Sequence, residues 1–172
     1  MNNFTTSKIC RAGIIASVYF VLTYFLQAIA FGPIQARISE ALSILPLFFP
    51  EAVPALFIGC FLANCFSGFL VFDLTLGTFA TLSSAILTYF IGKWIKNRHL
   101  RFVVGAIPPI LINALLVPLV IYLGGGLEVS YWVEVALIGG GQAVSIIPFG
   151  GLLYYALAKI KDKNPNSSLF KN

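Results

Sequence analysis

The chain has 172 residues, 59% of them hydrophobic and 10% charged, with a mean hydropathy of +0.92. A soluble domain carries roughly a quarter charged residues, so the composition excludes an ordinary water-soluble fold, and the length leaves no room for a second, catalytic domain. The net charge of +5 comes from eleven Lys and Arg against six Asp and Glu. No basic stripe interleaved with exposed aromatics accompanies it, so the expected environment is membrane lipid and no nucleic acid.

Lys8 and Arg11 stand before the first apolar run, and a span is predicted over residues 9–31. At 1.5 Å per residue this crosses a hydrocarbon core of about 30 Å. The triplet Ala28-Ile29-Ala30 has the small-x-small form of a cleavage site, but the run exceeds a signal core and further spans follow, so it is expected to be retained. Gly32-Pro33 ends it. Residues 39–49 form a second helix, short and proline-broken, with Pro46 inside and Pro50 after it. At about 17 Å it cannot cross alone and needs shielding by protein. Further spans are expected over 51–70, 73–94, 102–123 and 131–160. The fold class is therefore an all-α membrane protein, a six-helix transmembrane bundle over residues 1–160 with a polar cytoplasmic tail over 161–172.

Three spans separate Arg37 from Lys93, which lets ten of the eleven basic residues lie in the cytoplasm. Both termini then face inside. Arg37, Glu40, Asp73, the Gly124 to Gly126 turn and Glu128 face outside. Small residues mark helix contacts in lipid: Gly59 and Ala63 read as internal packing, whereas Ala12 and Ala16 either pack internally or receive a partner. Cys10, Cys60 and Cys65 lack metal or redox spacing and read as packing residues, and His99 reads as solvated in a basic loop.

Polar side chains within spans cost free energy and usually face a cavity or a partner. The candidates for binding are Arg37, Glu40, Asn64, Asn113, Glu134 and Gln142, with Trp132 as a stacking surface. Each has a structural alternative. Arg37 and Glu40 can pair at i, i+3. Trp132, Tyr131 and Phe31 can form an interfacial belt. Asn113 and Gln142 can bond between helices. Glu51 after Pro50 reads as a helix-dipole partner and Asp73 as an N-cap. No metal-ligand, nucleophile or nucleotide-phosphate motif occurs, so no enzymatic activity and no cofactor in this chain are expected, and any ATP would be used by other proteins.

Several strings become informative together. They are Gly32-Pro33-Ile34-Gln35-Ala36-Arg37-Ile38-Ser39-Glu40-Ala41-Leu42, Phe49-Pro50-Glu51-Ala52-Val53-Pro54, Phe57-Ile58-Gly59-Cys60, Leu62-Ala63-Asn64, Asp73 to Leu82, and Pro108-Pro109-Ile110-Leu111-Ile112-Asn113-Ala114. In this order, across nearly the whole chain, they resemble the QueT family, regarded as substrate-binding S components of energy-coupling factor (ECF) transporters for queuosine precursors. The resemblance implies a six-helix S component in a bacterial plasma membrane. Such a protein captures its solute from outside and associates with a coupling transmembrane protein and two cytoplasmic ATPases. It also implies that Ala12 and Ala16, matching an alanine-x-x-x-alanine motif on the first helix, contact the coupling protein.

The implied solute is a 7-deazaguanine, whose N1–H and amine suit a carboxylate and whose flat ring needs a slot. Glu40 or Glu134 would take the donor pair, Asn64, Asn113 or Gln142 the remaining polar atoms, and Trp132 would stack. The amide at Gln142 leaves the derivative open. A stand-alone secondary carrier and an S component for another vitamin or nucleobase are the alternatives. An intramembrane enzyme lacks its nucleophile or metal cluster.

Overall fold

The computed structural model describes residues 6–27 and 37–164. Among these the chain forms six helices and no strand. They are α1 (Thr6–Phe25), α2 (Ile38–Leu47), α3 (Ala52–Asn64), α4 (Asp73–Trp94), α5 (Arg98–Leu123) and α6 (Tyr131–Lys163), with one extra turn, Leu70–Phe72, leading into α4. Four of them, α1, α4, α5 and α6, are long and apolar enough to cross a membrane. Large apolar side chains such as Phe25, Val71, Phe79 and Val144 point outward, an arrangement that water penalises and lipid does not. The predicted end of the first span, with Ala28 to Phe31 and Gly32-Pro33, lies outside the described residues, as does the tail beyond residue 164. α6 itself runs on past residue 160 to Lys163.

α2 is a 3-10 helix of ten residues with Pro46 inside it, and its length of about 20 Å at 2.0 Å per residue is too short to cross alone. Its sequence fits a three-residue period. Ile38, Ala41, Ile44 and Leu47 line one edge, while Arg37, Glu40, Ser43 and Pro46 line another, so side chains three apart eclipse. The Ser43 hydroxyl accordingly donates to Glu40 Oε2 at 2.7 Å across one turn. α2 packs against each of the other five helices. Its C-terminal half joins Phe102 and Ala106 of α5 and Ile146 and Tyr154 of α6 in a core around Ile44 and Leu47. A second core joins Tyr19 of α1, Leu56 and Cys60 of α3 and Ala85 of α4.

The third helix ends earlier than the predicted span over 51–70. The amides of Cys65, Phe66 and Ser67 each bond a carbonyl three residues back, and the chain turns after Asn64. At 13 residues α3 covers about 20 Å. Asp73 is not an N-cap. It lies inside a continuous helical run that opens with a π-helical segment, Asp73–Gly77, and its carboxylate accepts from the Ser67 hydroxyl. Glu51 makes no side-chain cap either, because it pairs with Arg11 of α1 at 2.8 Å.

α5 starts four residues before the prediction because Asn97 caps it, its side chain accepting from the amides of His99 and Leu100 at 3.1 and 3.2 Å. His99 is engaged, its Nδ1 lying 2.9 Å from the Tyr155 hydroxyl. Pro109 removes the N–H that would bond the carbonyl of Gly105. Thr88 of α4 fills that place, its hydroxyl donating to Gly105 O at 3.1 Å. A neighbouring helix thus satisfies the group that proline orphans in an apolar medium.

A second π-helical segment, Ile146–Gly150, interrupts α6. Before it the buried side is Glu134, Ile138, Gly141, Gln142 and Ser145, and after it Gly151, Tyr154 and Ala158.

Candidate functional site

Tyr19 and Thr23 stand four apart on α1 and turn toward α2 on one face. The Tyr19 hydroxyl donates to Glu40 Oε1 at 2.5 Å. Thr23 donates to the Ser39 hydroxyl at 2.7 Å and also reaches back to Tyr19 O at 2.9 Å. Glu40 is buried, yet each of its oxygens has a protein donor, Tyr19 on one and Ser43 on the other. Such occupation is what a buried carboxylate in an apolar medium requires. Arg37 is buried beside it.

Asn64 extends this polar cluster toward α4. Its Nδ2 donates to Asp73 O at 2.8 Å, to the Thr78 hydroxyl at 3.2 Å and to Cys60 Sγ at 3.4 Å. Cys60 also accepts from Thr81 at 3.2 Å. Gly77 permits the approach, since a Cβ there would sit 3.1 Å from Asp73 Oδ1 and 3.2 Å from Asn64 Nδ2. Asn64 Oδ1 nonetheless remains buried with no hydrogen-bond partner.

A second group lies between α5 and α6. Asn113, Glu134 and Gln142 are all buried. The contact between Ala114 and Gly139, where a Cβ on the glycine would meet the alanine Cβ at 3.3 Å, brings the Asn113 and Gln142 levels of the two helices together. Gln142 Oε1 is the second buried amide oxygen without a partner. An unmade bond of this kind costs about 1–3 kcal/mol in a buried site.

The expected residues therefore divide. Arg37, Glu40 and Asn64 belong to one buried network and Asn113, Glu134 and Gln142 to the α5–α6 interface, with α2 packed against both α3 and α6. Trp132 stands apart: it is 72% exposed and packs edge-on against Tyr131 at 5.4 Å, as an interfacial belt residue would. Ala16 is buried against α3, where a Cβ at Gly59 would fall 2.8 Å from its carbonyl oxygen, while Ala12 is half-buried. Ala16 thus serves packing inside the chain, and the outward side of α1 carries Cys10, Gly13, Ile14 and Ser17. Sequence reasoning missed Tyr19, Thr23, Ser43, Cys60, Thr78 and Thr81. The legible signal was the four-residue spacing of Tyr19 and Thr23 within an apolar span.

Residues 9–159 match the QueT transporter family. A protein of Lactococcus lactis subsp. cremoris (strain MG1363) called "Queuosine precursor transporter QueT" is 37% identical over 84 residues, which are 48% of this chain and 49% of that protein. The chain thus spans about half the length of the curated relative it matches. No solved structure matches it. With the family match running from α1 almost to the end of α6, the chain belongs to the QueT transporter family, a family of membrane transporters rather than enzymes.

Proposed function

We propose that this chain is the solute-binding S component of an ECF-type importer. It would take up a queuosine precursor or a related 7-deazaguanine from outside a bacterial plasma membrane, with both termini in the cytoplasm. Residues 1–160 would be the transmembrane domain and 161–172 its cytoplasmic tail. The observation that carries the reading is the pair of buried, unpartnered amide oxygens, Asn64 Oδ1 and Gln142 Oε1, in a member of a transporter family. A 7-deazaguanine brings N–H and amine donors, the complement such acceptors lack. Glu40 keeps lone pairs beyond those used by Tyr19 and Ser43. Asn113, Glu134 and Arg37 would supply further polar contacts, and Trp132 would close over the ring only by turning inward from its exposed position.

This chain would bind no cofactor. ATP would be hydrolysed by two cytoplasmic ATPases reached through a coupling transmembrane protein. Ala12, with the exposed face of α1 beside it, would meet that coupling protein, and Ala16 would set the spacing of α1 on α3.

The test is calorimetric titration of the purified full-length protein with queuine, 7-cyano-7-deazaguanine and 7-aminomethyl-7-deazaguanine. Wild type should bind at least one of the three, and E40Q and N113A should each weaken binding about tenfold or more, equivalent to about 1.4 kcal/mol. Unchanged affinity in both variants would reject this site. Uptake into liposomes holding the chain alone, without the ATPases, would reject the S-component role in favour of a stand-alone carrier.

A further inference from the structure

A cavity of about 150 Å³ opens at the basic end of the bundle, remote from the polar network of α1 to α4, and is lined by Pro46, Phe48, Tyr89, Lys93, Arg101 and Lys161 among others. Three of its residues are cationic and none is acidic.

The cavity is built rather than incidental. The Arg101 guanidinium lies over the Phe48 ring at 5.4 Å and donates from Nη2 to the Leu47 carbonyl at the end of α2, while its Nε is buried with no hydrogen-bond partner. Gly92 makes this possible, because a Cβ there would lie 3.0 Å from Leu47 Cα and 3.3 Å from Arg101 Nη2. Lys93 is steered by the Tyr89 ring at 4.6 Å. Charges gathered around one small cavity at the end of membrane-spanning helices raise the local potential and favour a compact anion with several acceptor oxygens.

We propose that this cavity binds a phosphate-bearing anion, the headgroup of an anionic phospholipid, with Lys93, Arg101 and Lys161 as its ligands. The apolar surfaces of α4 and α6 beside it, including the exposed Phe90, Trp94 and Ile160, give the acyl chains a place to lie. Basic pockets between helices at the membrane surface recognise headgroups in this way.

Native mass spectrometry of the full-length protein in neutral detergent tests the assignment, with phosphatidylglycerol or phosphatidylcholine titrated in and no transported solute present. Phosphatidylglycerol should bind at least tenfold more tightly than phosphatidylcholine. The double variant K93Q/K161Q should lose roughly thirtyfold of that affinity, about fivefold for each charge removed. K93Q alone, with its melting temperature measured alongside, gives the same reading if the double variant does not fold. Equal affinity for the two lipids, or a folded lysine variant that binds as wild type does, would overturn the site. Displacement of the lipid by millimolar inorganic phosphate would overturn the lipid as its occupant and assign the cavity to the free anion, whereas failure of phosphate to displace it confirms the headgroup.

Discussion

Replacing Gly59 with alanine tests how tightly α1 is fixed against α3. The added Cβ would lie 2.8 Å from Ala16 O, 3.2 Å from Ala16 Cα and 3.0 Å from Tyr19 Cβ. These are backbone or stem atoms, so no side-chain rotation relieves the overlap. Ordinary carbon-to-oxygen contacts lie near 3.3–3.6 Å, so the two helices must part by about half an ångström. Overpacking of this kind costs about 1–3 kcal/mol, against which alanine in place of glycine returns at most about 1 kcal/mol of helix propensity. A net loss of about 1–2 kcal/mol lowers the melting temperature by roughly 2–8 °C in a domain of this size. The same movement draws Tyr19 away from Glu40, so binding of a 7-deazaguanine should weaken with stability. Gly13→Ala is the control, because a Cβ there meets nothing within 4 Å. The assay is intrinsic-fluorescence melting of both variants in one detergent. A Gly59→Ala protein that melts with or above the Gly13→Ala protein would refute the packing argument.

Three other outcomes follow from the same geometry. Arg11→Ala strands Glu51, whose side chain is only 2% exposed; stability should fall by about 3–5 kcal/mol, and the Arg11→Ala/Glu51→Ala double variant should recover part of it in a denaturant titration. Thr88→Val removes the hydroxyl that serves the carbonyl orphaned by Pro109, so thermal melting should show a loss of about 1–3 kcal/mol, and Pro109→Ala in the same protein should reduce that loss. Gln142→Ala deletes an oxygen that has no partner within the protein; its melting temperature should stay within about 2 °C of wild type, while calorimetry should show affinity for a 7-deazaguanine reduced about tenfold.

The membrane helices were legible in sequence because long apolar runs report directly on lipid. The fourth span, Asp73–Trp94, falls where the pattern placed it, and the second helix is short, with Pro46 held inside its ten residues. The third was drawn too long because residues 65–70 are apolar enough to continue a span, and hydropathy does not register that Asn64 ties the end of α3 to Asp73 of α4. Asp73 looks like a helix-start residue in one dimension, but in three dimensions it lies within a helical run and Ser67 takes its carboxylate, while Glu51 does stand at the start of α3 and pairs with Arg11. Of the candidate residues, the buried amides and carboxylates stood out because lipid offers them no water. Tyr19, Thr81 and Cys60 did not, since amphipathic and small residues are common in any span, and only their positions opposite Glu40 and Asn64 make them part of the network.

The π-helical segment at Ile146–Gly150 works as a phase shifter. Counted onward from Ser145 at α-helical spacing, the core-facing stripe would pass through Phe149 and Leu152, but these are 48% and 75% exposed, and the stripe resumes instead at Gly151, Tyr154 and Ala158. One additional residue in a turn rotates everything beyond it by about 100°. Deleting a single residue between 146 and 150 would therefore rotate the final thirteen-residue helical stretch by about 100°, moving Leu152 into the buried place of Gly151 and Tyr154 to the half-buried place of Leu153, a larger disturbance than any one substitution along it. A length change here is a change of address for a whole helix end, and tolerance to insertion or deletion should be lowest at this point.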